Sequence, residues 1–146
     1  MIFYDLHIHS ALSPCSDDDM TLNNIINMAC IKELNLISVS DHNTLKQLKH
    51  FEKLAEGKID FLYGVEIQTN ENIHILGYFH EEKYLEDIQD YLDDHLIKVK
   101  NNTEYYGNQY VFVFLQGVMR CQKTPVFLCF LTIYFYLCIF VYMFLG

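Results

Sequence analysis

The sequence predicts an α/β fold, and three observations carry that prediction. Short apolar runs alternate with amphipathic stretches from residue 2 to about residue 98. The apolar runs have strand length and the amphipathic ones helix length, in the order strand, helix, strand, helix, strand. Polar and ionisable residues cluster where the apolar runs end, which is where parallel α/β architectures present their functional groups.

Taken in order, "IFYDLHI" at the start of the chain reads as a strand. Thr21 is placed as an N-cap for "LNNIINMACIKELN", in which Leu22, Ile25, Ile26 and Ala29 recur at helical spacing. "LISVS" is a short buried strand, broken by "DHNTL". Asn43 or Thr44 is the expected cap of a second helix running to about Glu56, with Leu45, Leu48, Phe51 and Leu54 on one face and Gly57 ending it. "IDFLYGVEI" and "NIHILGYF" form a third and fourth strand, joined through the polar turn "QTNE". "EEKYLEDIQDYLDDHLIKVK" is a long acidic amphipathic helix, and βαβ units of this kind are right-handed.

Charge is distributed unevenly over the 146 residues, whose formal net charge is −9. All 19 acidic residues, but only 8 of the 10 Lys and Arg, lie in residues 1–110, so that part alone carries about −11. No basic cluster offsets this. The balance argues against a nucleic-acid backbone as electrostatic partner and suits acids partly neutralised by bound cations. The five cysteines have no CxxC spacing and are odd in number, and the N-terminus has no signal peptide. They are expected to be reduced thiols in a cytoplasmic protein.

The tail differs in character. Residues 111–146 carry no charge except Arg120 and Lys123, and residues 125–146 are an uncharged run of 22. As a helix that run spans about 33 Å, enough for a bilayer core of about 30 Å. One expectation is therefore a C-terminal transmembrane anchor with its N-terminal side cytoplasmic. The other is a frameshifted or truncated product, because Phe, Leu, Tyr, Ile, Cys, Val and Met share T-rich codons and the aromatics here respect no helical face. A buried segment is the third.

The chemistry lies in the first part. In a regular strand Asp5, His7 and His9 share a face, so two imidazoles can hold one cation while Asp5 orients one of them. A lone HxH is as well explained by a solvated sheet face. Asp41 and His42 follow directly on a buried strand, Glu66 sits in a strand with no apolar reason for a carboxylate, and His74 lies among Ile73, Ile75 and Leu76. Asp17, Asp18 and Asp19 occupy the loop before the first helix, where helix-terminal charge accounts for the last two. Four histidines with carboxylates at strand ends point to a divalent cation, with mixed imidazole and carboxylate ligation favouring Zn²⁺, Mn²⁺ or Fe²⁺ over Ca²⁺. Cys15 lies in the same loop, but thiolates are uncommon at hard-cation sites.

The pieces "DLHIHS", "SDDDMT", "SVSDHNT", "GVEI" and "HILGYF" together resemble the PHP (polymerase and histidinol phosphatase) domain family over about residues 1–110. The resemblance implies a distorted (β/α)7 barrel, of which this chain carries about the first half, and up to three metal ions activating water for phosphoester hydrolysis. It makes His7 and His9 ligands of one ion, Glu66 a bridge to a second ion shared with His74, and Asp17 and His42 ligands of a third, with Asp18 as the alternative to Asp17. Asp41 is then a partner of the His42 ring, while His50, His80 and His95 match no motif and are expected at the surface. The family's later histidine and Asp-x-His are absent, since no histidine follows His95 and no aspartate follows Asp94. Two outcomes follow: a phosphoesterase acting on a small phosphorylated substrate or nucleotide, or a non-catalytic truncated remnant, membrane-tethered if the tail is an anchor. A metal-free acidic binding module is the third.

Overall fold

A computed structural model describes residues 1–69, 73–96 and 128–132, the last five by their backbone. The elements are β1 (Tyr4–Ile8), α1 (Leu22–Ile31), β2 (Leu36–Val39), α2 (Leu48–Ala55), β3 (Asp60–Gln68), β4 (His74–Phe79), α3 (Tyr84–His95) and β5 (Leu128–Thr132). The five strands lie in one sheet in the order β1-β2-β3-β4-β5. β1, β2 and β3 run parallel, whereas β4 is antiparallel to both β3 and β5. This is the expected α/β fold, with a mixed sheet in place of a purely βαβ one because only the short "QTNE" link separates β3 from β4.

One face of the sheet carries the core. Ile37 and Val39 of β2 and Tyr63, Val65 and Ile67 of β3 pack against Leu22, Ile25, Ile26 and Ala29 of α1, Leu48 and Phe51 of α2, and Leu85 and Leu92 of α3. The α1 stripe has the spacing i, i+3, i+4, i+7, and each of its large side chains contributes about 1.5–3 kcal/mol by burial. Its start is where the sequence puts it, with Thr21 Oγ1 accepting a hydrogen bond from the Asn24 amide. Gly57, at φ +71°, follows α2 as expected.

α2 begins later than expected, at Leu48, with no side-chain cap from Gln47. Asn43 and Thr44 serve other contacts. Asn43 adopts a left-handed conformation and its Oδ1 accepts from the Gln68 amide, while the Leu45 amide donates to Gln89 Oε1 of α3. The segment that was to cap α2 thus ties β2 to β3 and α3.

The opposite face is strongly curved. The Tyr78 hydroxyl on β4 donates to the Leu6 carbonyl on β1 at 2.7 Å, across β2 and β3. In a flat sheet those strands stand about 14 Å apart, beyond the reach of one tyrosine, so the sheet curls around this concave face. Gly64 lets it curl: a Cβ there would lie 2.2 Å from Ser38 Oγ and 3.0 Å from the Val39 carbonyl oxygen.

β1 carries a bulge between Asp5 and Ile8, which lie opposite Ile37 and Val39 respectively. Three steps on β1 therefore span two on β2. The consequence corrects the period-two expectation for Asp5. Asp5 and Ile8 line a cavity of about 520 Å³ with Met20, Ile25 and Met28 on the α1 side, whereas His7 and His9 face the concave side.

The expected transmembrane helix over 125–146 lies outside the described residues except for Leu128–Thr132, which form β5 against β4 rather than part of a helix. An uncharged apolar run suits strand and helix alike, and the β4 edge supplies a ladder of backbone partners. No helix among the described residues is long and apolar enough to cross a membrane.

Candidate metal centre

The concave face gathers five of the six residues singled out from the sequence. His7 and His9 arrive from β1 and the residue pair following it, Glu66 from β3 and His74 from the start of β4. His42 is held by backbone pairing: Asn43 N donates to the Glu66 carbonyl at 2.8 Å and Glu66 N donates to the Asp41 carbonyl at 3.1 Å, a parallel bridge that sets His42 beside Glu66. Local sequence explains the placement, since Asn tolerates the left-handed turn that ends this bridge.

Glu66 is the hub. Its side chain is 4% exposed, with Oε2 2.9 Å from His7 Nε2, 2.9 Å from His9 Nε2 and 3.6 Å from His42 Nε2. Oε1 lies 2.6 Å from His74 Nδ1. The two Nε2 atoms of His7 and His9 are themselves 3.0 Å apart. His7 Nε2, His9 Nε2 and Glu66 Oε2 thus form a triangle with sides of 2.9 to 3.0 Å. Donor atoms about 2.1 Å from a common ion and at right angles to each other stand about 3.0 Å apart, so the triangle has the dimensions of one face of a coordination shell. A second group, His42, Glu66 and His74, also has its donor atoms within 4.8 Å of one another.

The electrostatics agree. Burial alone would raise the Glu66 carboxyl, yet hydrogen bonds from His7 and His9, the nearby His42 ring and the His74 hydrogen bond hold it well below the usual carboxylate range. His7 is shifted upward, chiefly by its hydrogen bond to Glu66. His42 is pushed down to about 4 by burial, against the attraction of Glu66 and with the other rings adding repulsion. Its Nδ1 is buried without a hydrogen-bond partner among the described residues. A neutral, desolvated imidazole beside an ionised carboxylate is a donor set that a divalent cation satisfies.

Around these residues lies a supporting network. Asp41 accepts from the Ser10 amide, the Ser10 hydroxyl and the Ser13 hydroxyl, each at 2.7 Å, and Gln47 Nε2 contacts both Asp41 and Ser10. Ser13 Oγ lies 3.1 Å from His9 Nδ1 and also accepts from the His42 amide. Because the Ser13 proton goes to the carboxylate, its oxygen accepts from His9 Nδ1, which leaves Nε2 of His9 facing His7 and Glu66. Asp41 therefore supports His9 through Ser13 and not the His42 ring, correcting the expectation from adjacency in sequence. Ser13 and Gln47 carried no signal in the sequence that distinguishes them from loop residues.

Asp17 is not brought to the cluster. It is exposed, as are Asp18 and Asp19, and the acid run turns outward into the start of α1. Two turns, closed by Ser13 N to the Ser10 carbonyl and Ser16 N to the Ser13 carbonyl, instead bring Cys15, itself exposed, to the edge of the cluster. Its Sγ lies with nitrogens of His9 and His42 in a third group whose atoms are all within 4.8 Å of one another. Partial burial raises the Cys15 thiol, with the carboxylates of Glu66 and Asp41 adding to the effect. Asp17 belongs to none of the donor groups on the concave face, whereas Cys15, two residues earlier, belongs to one. His50, His80 and His95 are exposed, as expected.

Solved structures that resemble this chain include the following three. An amidohydrolase from Chromobacterium violaceum, solved with bound sulfate and no metal, aligns with a TM-score of 0.47 and 28% identity over 60% of this chain and 32% of its own. A protein assigned as a metal-dependent phosphoesterase, from Bifidobacterium adolescentis, aligns with a TM-score of 0.53 and 20% identity over 64% of this chain and 33% of its own. Endonuclease Q, solved with a 27-mer duplex substrate carrying an abasic lesion at the active site, aligns with a TM-score of 0.54 and 20% identity over 77% of this chain and 29% of its own. The last two establish the likeness of fold. The chain spans about a third of the length of these structures. No curated protein matches it. The family model of the PHP domain matches residues 5–119, past the boundary at residue 110 expected from composition. A sheet of this kind with its imidazoles gathered on Glu66, together with that match, settles the ancestry: the chain belongs to the PHP domain family.

Proposed function

We propose that this chain is a metal-dependent phosphoesterase of the PHP type, with His7, His9, His42, Glu66 and His74 holding divalent cations. The observation that carries the reading is the ionised, buried Glu66 carboxylate with four imidazole nitrogens within 3.6 Å of it. Zn²⁺, Mn²⁺ and Fe²⁺ suit such a nitrogen and oxygen donor set. Bound cations of this kind lower the pKa of water and offset the charge that develops on phosphoryl oxygens.

The chain's own residues do the rest. Glu66 draws the rings together, and the Ser13 and Asp41 pair sets the orientation of His9. The His7 side chain is 41% exposed, so the cluster opens to solvent on that side, where a phosphoester can enter. The acidic charge of residues 1–110 favours a small phosphorylated substrate or a nucleotide over a long nucleic acid.

A second reading, cation binding without turnover, is favoured by the confinement of the donor groups among the described residues to residues 7–74. One experiment separates the two. The full chain, loaded with Mn²⁺ or Zn²⁺, is assayed for release of p-nitrophenol from its phosphate ester beside an His7→Ala/His9→Ala control. Turnover well above the control supports the phosphoesterase; stoichiometric metal with no turnover above the control leaves only the second reading.

A further inference from the structure

We propose that Cys15 is a cation ligand, forming with His9 and His42 a thiolate-containing position that prefers Zn²⁺ or Co²⁺ to Mn²⁺ or Mg²⁺. The inference rests on the reading of the concave face as a cation centre, and adds a ligand and a metal preference to it.

Three independent features carry it. The first is position: Cys15 Sγ, a His9 nitrogen and a His42 nitrogen all lie within 4.8 Å of one another. Donors about 2.1 and 2.3 Å from a tetrahedral ion stand about 3.6 Å apart, so a side-chain rotation of roughly an ångström closes the set. The second is the His42 ring, whose side chain is only 10% exposed and whose Nδ1 has no partner among the described residues. It stacks on His9 with ring centroids 4.7 Å apart and 16° between planes, so the two rings and the sulfur share one side of the face.

The third is the loop that presents the sulfur. Ser16 Oγ donates to the His9 carbonyl at 3.1 Å, and the Ser13 to Ser16 turn holds the exposed Cys15 between two residues that both bond to the site. Ala11 N donates to the Met20 carbonyl at 2.9 Å and closes the loop at its base. The neighbouring aspartates point outward, so the only acid-free donor group of the three is also the one that contains the thiol. One sulfur and two imidazoles form the donor set that selects tetrahedral Zn²⁺ or Co²⁺, whereas carboxylate and water sites suit Mg²⁺ and Mn²⁺. On cation binding the thiol proton leaves to solvent and a sulfur–metal bond forms, with no change of oxidation state.

Cobalt gives a readout that does not depend on activity. The full chain, stripped with chelator, is titrated with Co²⁺ and its absorption spectrum followed. A sulfur-to-cobalt charge-transfer band in the near ultraviolet is expected in the native chain and in Cys30→Ser, and its loss in Cys15→Ser, which retains the visible cobalt bands of the histidine and Glu66 groups. Zn²⁺ is expected to slow iodoacetamide labelling of the Cys15 peptide at least tenfold without protecting Cys30. Cys15→Asp should shift the ratio of Zn²⁺ to Mn²⁺ affinity toward Mn²⁺ by at least tenfold. Cobalt bound without a charge-transfer band, or a band that survives Cys15→Ser, overturns this proposal and leaves the phosphoesterase reading intact. A chain that binds neither Co²⁺ nor Zn²⁺ overturns both.

Discussion

The Ser13 hydroxyl donates to Oδ1 of Asp41 at 2.7 Å, and through that bond a buried carboxylate on one loop dictates which nitrogen of His9 faces the candidate metal centre. Removing the hydroxyl frees the ring to rotate and to change tautomer without touching any donor atom. Ser13→Ala is expected to weaken Zn²⁺ affinity about 10–100-fold, the usual effect of losing such a support. Competition with a chromophoric chelator measures it, beside far-ultraviolet circular dichroism to show the fold retained. Affinity unchanged in a folded Ser13→Ala chain would show that the hydroxyl serves only the loop.

Tyr78 holds the curvature that brings β1 and β4 to a common centre. Tyr78→Phe leaves the ring in place but removes its hydrogen bond to the Leu6 carbonyl, at a cost of about 1 kcal/mol. A lowered urea midpoint, with faster amide exchange confined first to β1, is the expected result. Equal exchange in β1 of both proteins would contradict the assignment of the bond as the tie between the strands.

The pH dependence of the metal-free chain follows from opposing shifts. His42 has its folded pKa lowered to about 4 from an ordinary 6.5, so its contribution is complete above pH 6.5 and is lost as pH falls toward 4. The loss is roughly 3 kcal/mol at most. Glu66, also lowered, adds a further loss as pH falls below its unfolded value of 4.5. His7 is raised, so its contribution is complete below pH 6.5 and fades as pH rises through its folded value. Stability should therefore peak a little above pH 6.5 and fall steeply on the acid side. Urea midpoints in the presence of chelator from pH 4 to 8 test this, and a midpoint that rises on acidification from 6.5 to 4.5 contradicts it.

The sequence and the structure agree where one local pattern meets one local force. Leu22, Ile25, Ile26 and Ala29 announce the buried stripe of α1, and Thr21 its cap, because both depend only on neighbours along the chain. The histidines and Glu66 were legible because imidazoles and a carboxylate in apolar strands need a common partner. Most of the misses depend on contacts distant in sequence. A bulge against β2 reverses Asp5, Gln68 and Gln89 take the backbone and side-chain groups expected to cap α2, and the Ser10 and Ser13 hydroxyls claim Asp41. Cys15 rather than Asp17 stands beside His9 and His42, and there the cause is local: a pair of tight turns, which the acidic run does not announce, sets the course of the loop.

Gly64 marks the place where packing on the concave face is tightest, and it lies two residues before Glu66. A methyl group at that position would meet Ser38 Oγ at 2.2 Å, the Val39 carbonyl oxygen at 3.0 Å and Ser40 Cβ at 3.2 Å. The Ser38 hydroxyl can rotate away, but the carbonyl belongs to the β2 ladder and Ser40 is fully buried, so β3 must shift outward from β2. Overpacking of this kind costs about 1–3 kcal/mol. The shift also moves Glu66 relative to His42, whose backbone it pairs with. Gly64→Ala is therefore expected both to lower the urea midpoint and to weaken Zn²⁺ affinity, whereas Ala at exposed Gly57, where a Cβ meets nothing within 4 Å, is expected to cost only the strain of its φ of +71° and to leave affinity unchanged. Parallel measurement of midpoint and affinity on the two variants decides the matter: equal affinity in both would mean that Gly64 shapes the sheet without positioning Glu66.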